Sequence, residues 1–168
     1  ENDVHACATL RANRPDWNVL ETDVRTFSAR GIGRVDLFAG CVPCPPFSHA
    51  GKQMGSEDER DLFPDALRLI EECTPAAVMI ENVRGLLDPR FDAYRASIVA
   101  RLDDLGYRST WRLVRACDFG VPQLRPRSVL VGLRPDAYMR FCWPAPRPIA
   151  PPTVGVCLGD LMASRGWE

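Results

Sequence analysis

Residues 76–80, Ala-Ala-Val-Met-Ile, form an unbroken apolar run between Pro75 and Glu81. So short a run, with no polar face and a breaker at its start, predicts a strand buried on both sides. Such strands belong to parallel sheets covered by helices. The rest of the chain agrees. Residues 35–40 read as a strand running into Gly40, residues 17–20 as a short strand, and residues 109–116 and 128–133 as two more. Between them lie helical patterns. Val4 to Asn13 follows Asp3 as N-cap and ends before Pro15. Ser56 and Glu59 form a capping-box pattern that predicts a helix through about Glu72, with Leu62, Ala66, Leu67, Leu69 and Ile70 as its buried face. Residues 91–105 predict a further helix, stopped by Gly106, and a short one is expected around residues 158–162. Strands alternating with helices define an α/β domain with a mostly parallel sheet and helices on both faces. We expect this domain to span residues 1–142. The Pro-rich stretch 143–152 then reads as a semi-rigid linker, opening a segment 143–168 that leads into a further region.

Composition limits the options. The chain has 168 residues, 46% hydrophobic and 26% charged, which suits one folded domain with a core. No apolar run approaches the ~20 residues that span a bilayer. Nothing marks a secretory leader, and the seven cysteines are odd in number and irregularly spaced. Free thiols in a reducing cytoplasm are expected. A net charge of −1 means that any nucleic-acid binding must rest on local arginine clusters.

Two residues stand out by position. Cys44 lies just past the strand at 35–40, and Glu81 ends the run at 76–80. In open α/β sheets ligands bind outside the carboxyl ends of strands, so a thiol and a carboxyl would meet in one crevice. Pro43, Pro45 and Pro46 stiffen the chain around Cys44, which suits a nucleophile held in place before its substrate arrives. Cys41-Val42-Pro43-Cys44 is also a CxxC, but with only His5 and His49 as imidazoles it is a poor zinc site. Prolines 45 and 46 equally disfavour the helix that a redox CxxC would open. No metal is expected. Glu81 is placed to hold or donate a proton. In the segment 118–127, alternation puts Gln123, Arg125 and Arg127 on one side, suited to an anionic or carbonyl-rich ligand.

In order and spacing these segments resemble the DNA cytosine-5 methyltransferase family over nearly the whole chain. Residues 35–48 resemble its nucleophile motif, and residues 49–60 its mobile loop, with Ala50-Gly51, Gly55, Asp58 and Arg60 in place. Glu81-Asn82-Val83 matches its Glu-Asn-Val, and Gln123, Arg125 and Arg127 match its Gln-x-Arg-x-Arg. The resemblance implies a Rossmann-like, S-adenosylmethionine-dependent methyltransferase fold. It implies Cys44, Glu81, Arg125 and Arg127 as catalytic residues, and Glu1, Asp23 and Pro43 on the cofactor side. Ser48, Asn82 and Gln123 fall on the substrate side, where the partner would be duplex DNA with a flipped cytosine, in a bacterial cytoplasm. There are departures. The family's glycine-rich first strand would precede Glu1, so an N-terminally truncated fold is expected, lacking also the target recognition region. Cys41-Val42 replaces the usual Gly-Pro, and Pro45 the common Gln. A transfer-RNA cytosine-5 methyltransferase of the same fold and a non-catalytic remnant remain open as alternatives.

Overall fold

The computed structural model describes residues 1–43, 61–148 and 150–166. Cys44 and Ser48, like His49 to Arg60, lie outside the described residues. The chain opens with helix α1 (Val4–Asn13), where Asp3 Oδ1 accepts the Ala6 N–H at 2.7 Å, as a capping Asp should. Strand β1 (Leu37–Cys41) follows, then α2 (Phe63–Cys73), β2 (Ala77–Val83), α3 (Asp92–Asp104), β3 (Arg108–Arg115), β4 (Pro126–Leu133), α4 (Pro135–Tyr138) and α5 (Val154–Ala163).

The four strands form one sheet in the order β1-β2-β4-β3. β1 runs parallel to β2, while β4 is antiparallel to both β2 and β3. Three strands therefore share a direction, as expected, but β4 is inserted against them, so only one of the three pairings is parallel. The connection explains this. Residues 116–125 hold a single 3-10 turn (Ala116–Phe119) and no crossover helix, so β4 can return only beside β3 and in reverse.

Helices α2 and α3 cover one face. Phe63, Ala66 and Ile70 of α2 and Ile98 and Leu102 of α3 close over Val78, Ile80, Leu130 and Tyr107. Each fully buried Leu or Ile there contributes about 1.5–3 kcal/mol. At the base of the sheet the Tyr107 hydroxyl donates to the Pro75 carbonyl at 2.6 Å. The opposite face is only partly covered, and Leu37 and Met79 are exposed on it.

Two expected elements differ. α2 starts at Phe63 rather than Ser56, with Asp61 Oδ1 accepting the Phe63 N–H at 3.0 Å. Pro64 sits in the first turn, where its missing N–H costs nothing; a helix begun at Ser56 would have placed it in the interior. Residues 17–20 are not a strand. They lie beside the chain start, with Glu1 N donating to the Leu20 carbonyl (3.3 Å) and, just beyond them, Thr22 N to the Glu1 carbonyl (2.9 Å).

Candidate active site

β2 continues past the apolar run to Val83, so Glu81 lies inside the strand near its carboxyl end. Period-two alternation puts Val78, Ile80 and Asn82 into the core and turns Glu81 to the other face. Antiparallel pairing with β4 sets Val83 opposite Arg127. That register brings Arg127 Nε to 2.6 Å from Glu81 Oε1, with Arg125 Nη2 at 4.0 Å from the same oxygen. Both arginines expected to face one way therefore converge on the expected carboxyl. Arg127 is the more enclosed of the two, and the Glu81 side chain keeps 30% of its exposure, so a ligand can reach the pair. Gln123 is exposed on the approach to β4, where its N–H closes a tight turn onto the Val121 carbonyl at 2.7 Å.

The parallel neighbour completes the mouth. Cys41, the last residue of β1, is the register partner of Glu81. Partial burial of its thiol, followed by the adjacent Glu81 charge, pushes the Cys41 pKa up, so it faces Glu81 as a neutral thiol. Asn82 turns inward and is 1% exposed. Its Nδ2 donates to the Val42 carbonyl at 3.2 Å, and its Oδ1 accepts the Val83 N–H at 2.8 Å. Its amide thus fastens β2 to the backbone just ahead of Pro43, which is exposed at the edge of the described segment. The reading of Asn82 as a substrate contact missed this, because periodicity alone does not say which face of the strand Asn82 occupies.

Elsewhere, two backbone bonds join residue 1 to Leu20 and Thr22, the segment that leads into Asp23. Glu1 Oε1 accepts the N–H groups of Asn2 and Asp3 at 2.9 and 3.0 Å. Asp23 opens a turn whose Thr26 and Phe27 N–H groups donate to its carbonyl at 3.1 and 3.0 Å. Its carboxylate is held by Arg25, whose Nη2 stands 2.6 Å from Oδ2, and this bond holds the Asp23 pKa down at about 2. Each carboxylate is a hydrogen-bond acceptor, the chemistry that hydroxyl and amine donors require. Among the described residues no three of His, Cys, Asp and Glu converge as metal ligands would. Nor is any helix among the described residues long and apolar enough to cross a membrane.

A helix-covered sheet with one reversed strand is the fold this chain shares with solved methyltransferases. The profile of the C-5 cytosine-specific DNA methylase family matches residues 1–164, and the chain belongs to that family. It is 55% identical over 163 residues to the type II methyltransferase M.NgoMIV of Neisseria gonorrhoeae, covering 97% of this chain and 52% of the relative. It is 53% identical over 172 residues to M.NaeI of Lentzea aerocolonigenes, covering the whole of this chain and 41% of the relative. The chain thus spans about half the length of the curated relatives it matches. Among solved structures, a prophage-encoded DNA modification methyltransferase of E. coli superposes with a TM-score of 0.74 at 24% identity, over 94% of this chain and 46% of that one. Spodoptera frugiperda DNMT2 superposes at 0.64 and 22% identity, over 93% and 48%. These two likenesses concern the fold.

Proposed function

We propose that the protein transfers a methyl group to carbon 5 of cytosine in DNA through a transient bond to Cys44. The observation that carries this reading is the Glu81 carboxylate clasped by Arg127 at 2.6 Å at a strand mouth, with Arg125 beside it. A cytosine ring presents an amine, a ring nitrogen and a carbonyl along one edge. A carboxyl flanked by guanidinium groups matches that edge, with Glu81 taking the amine and ring nitrogen 3 and the arginines the carbonyl.

Carbon 5 of cytosine is a weak nucleophile by itself. Addition of the Cys44 thiolate at carbon 6 forms the sulfur–carbon bond while Glu81 delivers a proton to ring nitrogen 3, which makes carbon 5 enamine-like. S-Adenosylmethionine, when bound, supplies the methyl group, and Glu1, Asp23 and Pro43 are the residues that would hold it. After transfer carbon 5 gives its proton to a base, the sulfur–carbon bond breaks to restore the thiolate, and ring nitrogen 3 returns its proton to Glu81. The target carbon is unreachable within a stacked duplex, so the base must leave the helix. Ser48 and Gln123 are assigned to steadying the extruded nucleotide. Asn82 acts one step back, on the backbone leading to Cys44. We assign residues 1–142 to the catalytic domain and 143–168 to the passage toward a recognition region.

The test uses the full-length protein with labelled methyl donor, duplex DNA and transfer RNA. Label is expected in DNA; label in transfer RNA alone would reverse the substrate assignment. Cys44→Ser should abolish both turnover and covalent trapping on a duplex containing 5-fluorocytosine, and trapping that survives removes Cys44 as the nucleophile.

A further inference from the structure

The turn that begins at Asp23 is not held by a sheet. It is gripped from helix α2 by two side chains more than forty residues away in sequence. Arg68 Nη2 donates to the Val24 carbonyl at 2.8 Å and its Nη1 to the Phe27 carbonyl at 2.9 Å. One turn further along α2, Glu72 Oε2 accepts the Ala29 N–H at 2.6 Å and the Ser28 hydroxyl at 2.9 Å. Arg68 is itself oriented by Asp65 at 3.1 Å and by Glu72 at 3.2 Å. The Glu72 side chain is only 10% exposed, and Ala29 is 4% exposed, so the grip on the exit of the turn is shielded from water. The opposite flank of α2, through Ala66 and Ile70, belongs to the sheet core. The fork therefore ties an irregular surface turn to the most rigid part of the molecule.

A guanidinium suits this task. It is planar, stays charged, and can meet two carbonyls and two carboxylates at once from a fixed plane. Backbone carbonyls of a turn that lacks strand or helix neighbours need such outside partners to adopt one position. The carboxylate that begins the turn is thereby set relative to the sheet, although neither Arg68 nor Glu72 reaches it.

We propose that Arg68 and Glu72 are positioning residues for the cofactor: they fix the turn that presents Asp23, and through it the adenine end of S-adenosylmethionine. This rests on the reading of Asp23 as a cofactor residue given above. The consequence is a separation of effects. Loosening the fork weakens cofactor binding and leaves the cytosine-facing group of Glu81, Arg125 and Arg127 as it was, because those residues are placed by strand register.

The experiment compares Arg68→Ala, Arg68→Lys and Asp23→Asn in the full-length protein. Calorimetry with S-adenosylhomocysteine, steady-state kinetics and amide hydrogen exchange give three readouts. Arg68→Ala is expected to raise the Kd and the cofactor KM on the order of tenfold, with kcat at saturating cofactor and the KM for DNA within about twofold. Exchange should accelerate at Thr26, Phe27 and Ala29 while the amides of β2 and β4 stay protected. Arg68→Lys, which can satisfy one carbonyl but not both in a fixed plane, should recover part of the affinity. If Arg68→Ala does not fold, Ser28→Ala removes one bond from the same fork and should raise the Kd about threefold with kcat unchanged. Loss of kcat with an unchanged cofactor Kd, or faster exchange in the turn with no loss of affinity, overturns the proposal. Asp23→Asn separates the two levels. If it leaves the Kd unchanged, the reading of Asp23 fails and the fork's role falls with it. If it raises the Kd while neither Arg68→Ala nor Ser28→Ala does, the fork alone is refuted.

Discussion

Glu81 and Arg127 stand on adjacent strands whose register brings them to 2.6 Å, whereas Glu1 and Asp23 stand on irregular chain held by bonds from elsewhere. At Glu81 the backbone ladder does the positioning and the side chains need only point outward. At the turn beginning with Asp23 there is no ladder to rely on, and long side chains from α2 take its place. The first arrangement should tolerate changes around it and fail when its own residues are changed. The second should be sensitive to residues that never touch the ligand.

Between these two regions the largest effect should come from Arg127→Ala, which removes the closest partner of Glu81 among the described residues. A drop in kcat of about 10²–10³-fold is expected, the usual scale for losing one charge-stabilising donor at a reacting group. Single-turnover kinetics should show it with the cofactor KM little changed, and Arg127→Lys should restore little because an ammonium lacks the planar fork. An equal rise in cofactor KM would break the separation between the two ends.

Asn82→Ala comes next and tests whether the substrate end also depends on a hidden support. It leaves the Val42 carbonyl and the Val83 N–H without their partner in a buried setting, and should destabilise the fold by about 1–3 kcal/mol in urea unfolding. Stability unchanged within error would mean that the two backbone groups find other partners.

The smallest effect belongs to Glu72→Gln. The Ala29 N–H, then Ser28 and Arg68, hold the Glu72 carboxyl below the usual carboxylate range. A carboxyl whose pKa is lowered by folding adds stability above its unfolded pKa and loses that contribution as pH falls through the folded value. The unchanged protein should therefore lose stability below about pH 4 more steeply than Glu72→Gln, in unfolding curves collected across acid pH. Parallel curves for the two would show that the fork's charge does not matter.

Much of this molecule could be read from residue order. The Asp3 cap and the Gly106 stop correspond to α1 and the end of α3 within a residue or two, and the apolar run at 76–80 to the start of β2, which runs three residues further, because local pattern and turn chemistry decide such elements. α2 starts at Phe63, after the non-helical Asp61 and Leu62, while the Ser56/Glu59 pattern lies outside the described residues. The pair Arg68 and Glu72 was equally visible as an i, i+4 ladder, yet on sequence that spacing reads only as a solvated helix face. Asp23 was legible as a candidate acid, but the Arg25 bond on its carboxylate and the fork beneath its turn were not.

Sequence alone determined the α/β class and the residue types needed for the chemistry, through hydrophobic period and short motifs that depend on neighbours in the chain. Tertiary structure alone decided that β4 enters antiparallel between β2 and β3, which puts Arg127 beside Glu81. It also decided that Asn82 faces inward and that α2 reaches back to the turn at Asp23. Each of these depends on which surfaces meet across tens of residues, and loop closure and burial settle that only when the whole sheet forms.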